Sequence, residues 1–129
     1  MVVDTSAIIA ILFEEPEMDR FEQLIAGTPD VLMSAASHLE AGVVVLGRHG
    51  PSYLARVELA LQRFGITVVP VTPEQAILAI AAYEQFGKGR HPAGLNYGDC
   101  FSYALAKARG EPLLAKGDDF TRTDAVMAA

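Results

Sequence analysis

What most limits the fold of this 129-residue chain is an alternation of short apolar or β-branched runs with longer helical segments, punctuated by proline, glycine and capping residues. The clearest instance is Ile66 to Val71, a β-branched run that reads as a strand, followed at once by Thr72-Pro73-Glu74-Gln75. That tetrapeptide supplies a cap, a proline at the first helical position and a capping-box glutamine, so a helix is predicted to about Phe86. The same alternation recurs along the chain. Strands separated by helices pair in parallel, with the helices packed on both faces of the sheet.

Met1 to Val3 reads as a strand, and Ser6 to Phe13 and Glu17 to Ala26 read as helices parted near Pro16. A turn at Gly27-Thr28-Pro29-Asp30 leads into a second strand, Val31 to Met33. Ser37 to Arg48 has apolar residues at helical spacing, although Val43-Val44-Val45 is poor in helix propensity and also fits a strand. Gly50-Pro51 breaks it. Ser52 to Phe64 places Leu54, Val57, Leu61 and Phe64 on one helical face. Tyr97 to Arg109 is a further helix closed by Gly110, Pro112 to Ala115 a short buried strand, and Ala125 to Met127 a final edge strand.

A sheet covered on both faces needs many apolar residues, and 51% of this chain is hydrophobic. The expectation is one domain over residues 1–129, with apolar surface to spare for a self-contact or a protein partner, notably at Ile8 to Phe13 and Val43 to Leu46. No apolar run approaches the roughly 18 to 20 residues of a membrane helix. MVVDTS lacks a basic leader region, and Cys100 stands alone, so a cytoplasmic protein without disulfides is expected. The net charge of −6, from 16 acids against 10 lysines and arginines, argues against a sequence-independent nucleic-acid coat. It leaves a nuclease open, because acids that face bound cations are neutralised locally.

The acids themselves fall at suggestive places. Asp4 follows the first strand, Glu40 and Asp99 lie at or near helix starts, and Asp118-Asp119 follows the last buried strand. Each has a structural explanation. Asp4 fits a helix N-cap, Glu40 lies three residues after Ser37 and Asp99 three after Asn96, the capping-box spacing, and Asp118-Asp119 fits a terminal turn. Capping does not account for the set. In an open parallel sheet, ligands bind outside the carboxyl ends of the strands, where acids from distant parts of the chain converge and repel unless a cation joins them. Hard divalent cations take such oxygen ligands, and two in one site can promote phosphodiester hydrolysis. Gly87-Lys88-Gly89-Arg90-His91-Pro92 is a basic loop, read either as solvated surface or as a weak substrate-binding element through Lys88 and Arg90.

Three blocks, VVDTSAIIAIL, SAASHLEAGVV and LNYGDCFSYALAKARGEPLLAKGDDFTRTD, together resemble the PIN-domain ribonuclease toxins of the VapC family, which pair with VapB antitoxins. The last block is the most specific. The resemblance implies a PIN-like three-layer α/β/α sandwich with a central parallel sheet. It implies an endoribonuclease dependent on Mg²⁺ or Mn²⁺, one or two ions, with RNA as substrate, a VapB-type antitoxin that blocks the site, and a homodimer. Carried onto this chain, the family's acids fall on Asp4, Glu40 and Asp99, with the fourth in GDDF. An acid directly before phenylalanine favours Asp119, and an earlier register favours Asp118. Thr5, Ser6 and Asn96 stand beside these acids as accessory residues. The implied chemistry is direct attack of water on the phosphate, leaving a 5′-phosphate and a 3′-hydroxyl.

Other chemistries find less support. His38, His49 and His91 have no metal-ligand spacing with Cys100, and there is no nucleophile elbow, Walker motif or G-x-G-x-x-G. A receiver domain would match Lys116 but needs an aspartate where Thr72 follows Val71, and a haloacid-dehalogenase-type phosphatase needs one where Ser6 stands. A PIN fold kept as a binding module is the other alternative.

Overall fold

At the centre of the protein is a strand of two residues, β1 (Val2–Val3), hydrogen-bonded in parallel on both sides. The computed structural model describes residues 1–129. From β1 the chain runs through α1 (Thr5–Leu12), α2 (Met18–Ala26), β2 (Val31–Ser34), α3 (Ala35–His49), α4 (Leu54–Arg63) and β3 (Ile66–Val69). It continues through α5 (Pro73–Phe86), α6 (Tyr97–Arg109) and β4 (Leu113–Leu114), in a four-stranded parallel sheet of order β3-β2-β1-β4.

Side chains alternate across a strand, and here both faces are apolar. Val3, Val31, Met33 and Leu114 pack with α1 to α4 around Ile8, Phe21, Val45 and Val57. Val2, Leu32 and Leu113 pack on the other face with Phe86, Tyr103 and Leu105 of α5 and α6. The result is the expected three-layer α/β/α sandwich around a parallel sheet. Each wholly buried side chain among these contributes roughly 1.5 to 3 kcal/mol relative to exposure.

The structure revises several local expectations. The strand expected to reach Val71 stops at Val69, since Pro70 has no N–H to give the ladder. Val43-Val44-Val45 is helical, because Ala41 and Val45 on the same face of α3 are buried in the core. Ser34, not a residue near Ser37, caps α3, its hydroxyl accepting from the Ala36 N–H at 3.2 Å. Ser37 and Glu40 therefore lie inside the helix and form no capping box. The expected edge strand Ala125 to Met127 is a single parallel bridge between Met127 and Leu113. Of the apolar stretches read as contact surfaces, Ile8, Ile9 and Ile11 are core, whereas Val43 and Leu46 are exposed. No helix is long and apolar enough to cross a membrane.

Candidate active site

Asp4 leaves β1 and caps α1, at the carboxyl edge of the sheet. Its Oδ2 accepts from the Ser6 N–H at 3.0 Å and the Ser6 hydroxyl at 2.7 Å, and its Oδ1 accepts from the Ser102 hydroxyl of α6 at 2.6 Å. The carboxylate is 4% exposed and fixed from three directions. The Lys116 N–H just beyond β4 donates to the Ser6 hydroxyl at 3.0 Å, fastening the last strand to the same point. Capping and site-building thus coincide at one residue.

Asp99 lies in the first turn of α6, in a complete capping box. Its N–H donates to Asn96 Oδ1 at 2.8 Å and its Oδ2 accepts from the Asn96 N–H at 3.0 Å. Glu40, one turn into α3, lies against Gly98. A β-carbon on that glycine would stand 2.6 Å from Glu40 Oε2. Asp119 is exposed and precedes the 3-10 turn Phe120–Arg122. The four acids line one open cleft of about 350 Å³, with Thr5, Ser6 and Asn96 in its wall.

The charge there is unbalanced. Glu15 adds a fifth carboxylate, against two cations, Arg48 and Lys116. Lys116 is engaged by Glu15 at 3.2 Å and Glu17 at 3.4 Å, and the hydrogen bond to Glu15 holds its ammonium above the usual lysine range. Burial pushes the Asp99 carboxyl from 3.8 up to about 7, the Asn96 N–H opposes that rise, and the charges of Asp4, Asp119 and Glu40 add to it. A carboxylate so placed lacks a positive partner. The donor set is all oxygen, as a hard divalent cation requires.

Not every residue singled out in the sequence reaches the cleft. Asp118 is exposed outside its wall, with its carbonyl accepting from the Thr121 hydroxyl. Lys88 and Arg90 are exposed in the α5–α6 loop and do not line it. The Thr5 hydroxyl is committed to the Ser37 carbonyl at 2.9 Å. His38 pairs with Glu58 at 2.6 Å on the surface, and Cys100 is buried with its thiol pushed up to about 11 by burial and by Asp99. Sequence reading passed over Ser102 and Gly98, although Ser102 lies three residues after Asp99 and so on the same helical face. It also passed over Arg48, for which no local pattern speaks.

A PIN-domain family model matches residues 1–126. The chain belongs to the PIN-domain family. Ribonuclease VapC30 of Mycobacterium tuberculosis is 50% identical over 129 residues, covering 100% of this chain and 98% of that protein. This PIN domain also superposes on the crystal structure of Mycobacterium tuberculosis VapC20, described as a sarcin-ricin loop cleaving toxin, with TM-score 0.78, 20% identity and coverage of 97% and 95%. A toxin–antitoxin complex from Klebsiella pneumoniae contains a similar chain, with TM-score 0.73, 19% identity and coverage of 98% and 94%.

Proposed function

We propose that this PIN domain, residues 1–129, is the ribonuclease toxin of a toxin–antitoxin pair, cleaving RNA internally by hydrolysis. The observation that carries the reading is the gathering of Asp4, Glu40, Asp99 and Asp119 in one cleft where Arg48 and a Lys116 already held by Glu15 and Glu17 are too few cations to match the acids' charge. Full-length similarity to a protein named a ribonuclease supports it. Asp4 and Asp99 are assigned to hold Mg²⁺ or Mn²⁺, with Glu40 and Asp119 supporting one or two ions. Such an ion neutralises phosphate charge and lowers the pKa of its water.

The protein's own part is positioning. Ser6 and Ser102 fix both oxygens of Asp4, Asn96 fixes Asp99, and Gly98 leaves room for Glu40. No side chain here is suited to attack phosphorus, since Cys100 is buried and Ser6 and Ser102 spend their hydroxyls on Asp4. In this reading a water oxygen forms the new bond to phosphorus, the P–O3′ bond breaks and the departing 3′ oxygen takes up a proton, leaving a 5′-phosphate and a 3′-hydroxyl. A VapB-type antitoxin, a homodimer and a cytoplasmic setting belong to the same reading. Exposed Leu39, Val43 and Leu46 on α3 and Ile77 and Ile80 on α5 are apolar surface that such contacts would cover.

The test is incubation of total cellular RNA with the purified chain, with Mg²⁺, Mn²⁺ or chelator, beside Asp99→Asn. Discrete fragments ending in 5′-phosphate, absent with chelator and with the variant, are expected. Inactive wild type that also binds neither ion in calorimetry would leave a PIN-fold binding module instead.

A further inference from the structure

Beyond the acids, the cleft wall leads into a cluster of cations and rings at the end of α3. Arg48 lines the cleft and sets its guanidinium over the Phe13 ring, 5.1 Å from the centroid. Phe13 meets the edge of His49, with centroids 4.9 Å apart, and His49 stacks on Tyr53 at 4.5 Å and 26°. Arg56 lies over Tyr53 at 4.3 Å and donates to its hydroxyl at 3.2 Å. That hydroxyl in turn donates to the Leu12 carbonyl at 3.3 Å, anchoring the cluster to α1. Arg48, His49 and Arg56 are exposed. Neither guanidinium pairs with a carboxylate, unlike Lys116, which two glutamates hold.

We infer that Arg48, His49, Tyr53 and Arg56 form a docking strip for single-stranded RNA that extends the acidic cleft, an inference that rests on the ribonuclease reading. A polyanion entering a cleft lined by five acids needs cations at its border, and Arg48 is the lining cation without a carboxylate partner. Arginine binds phosphate in a fork and stacks on aromatic faces. The exposed His49 ring, backed by Tyr53, offers a face to one unpaired base, the mode by which single strands are held without strong sequence preference. Arg48 thus takes a phosphate beside the cleft, His49 a base, and Arg56 the next phosphate along. A duplex, with its bases already stacked on each other, is held by the two guanidinium charges alone.

The experiment is fluorescence anisotropy of a labelled twelve-nucleotide single-stranded RNA on the full chain carrying Asp99→Asn, titrated across salt concentration. Removing one phosphate-binding cation should flatten the slope of log K against log salt by about 0.7, so about 1.4 for Arg48→Gln with Arg56→Gln. His49→Ala should weaken binding about 5- to 10-fold or more, with the slope unchanged and duplex RNA unaffected. Arg20→Gln with Arg109→Gln removes equal charge elsewhere and should leave slope and affinity as they were. A strip variant that binds like its parent, or a control pair that weakens binding as much, overturns the strip. Because binding is read without cleavage, a wild type that cuts RNA while these variants bind normally sinks the strip alone. An inactive wild type whose binding still depends on the strip sinks the nuclease alone.

Discussion

Asp99 is where structure and chemistry pull against each other most. In the folded chain its carboxyl is pushed up to about 7, so the fold keeps a proton that the unfolded chain has released between pH 3.8 and about 7. Unfolding is then accompanied by proton release, and stability falls as pH rises through that window, levelling off above it. In chelator, Asp99→Asn should melt above wild type at pH 8, with a smaller gap at pH 5, as differential scanning fluorimetry would record. The same change should reduce RNA cleavage by more than about 100-fold, since even the outer partners of metal ligands are worth 10 to 100. Ser102→Ala leaves Asp4, a buried carboxylate, without its 2.6 Å donor. A bond to a charged group is worth about 1.5 to 3 kcal/mol, and urea denaturation should show a loss of that order.

At the level of elements, helix starts make the site. α1 presents Asp4 from its cap and α6 presents Asp99 from its capping box, so local chemistry that would form these helices anyway also aims the acids. α3 behaves otherwise, contributing Glu40 from within its second turn, where only packing against α6 directs it. Gly98 is the contact that permits this. Gly98→Ala should raise helix stability by up to about 1 kcal/mol, yet its β-carbon would meet both Glu40 carboxylate oxygens, at 2.6 and 2.9 Å. The expected outcome is an unchanged or higher melting temperature together with reduced cleavage. Unaltered cleavage by this variant would remove Glu40 from the working set of acids.

For the molecule as a whole, the cleft is a point of stored repulsion that joins β1, α3, α6 and the turn after β4. A cation bound to the folded chain relieves that repulsion and adds stability as RT ln(1 + [L]/Kd), about 2.7 kcal/mol at a hundredfold excess over Kd. Mn²⁺ or Mg²⁺ should therefore raise the melting temperature of wild type, and much less that of Asp99→Asn. Equal shifts for both chains would mean that the ions act elsewhere.

Taken alone, the sequence determined most of the helices and the four strands, because β-branched runs, Thr72-Pro73, Asn96 and Gly110 act over a few residues; it left Val43-Val44-Val45 open and over-read Ala125 to Met127 as a strand. It also determined that acids would gather at one edge of a parallel sheet, because Asp4 and Asp99 start helices there. What it left open were features set between elements. Strand β3 ended at Val69, before Pro70, rather than at Val71, and Ser34 took the cap that spacing had offered to Ser37. Asp119 lines the cleft while Asp118 does not, and Lys88 and Arg90 stay outside it. Gly98 met Glu40 only when α3 and α6 packed together, Ser102 met Asp4 when α6 packed beside the start of α1, and Arg48 met Phe13 when the end of α3 reached the end of α1. Residues 50 to 100 positions apart meet through the layering of the sandwich, and no local propensity encodes which of their atoms will touch.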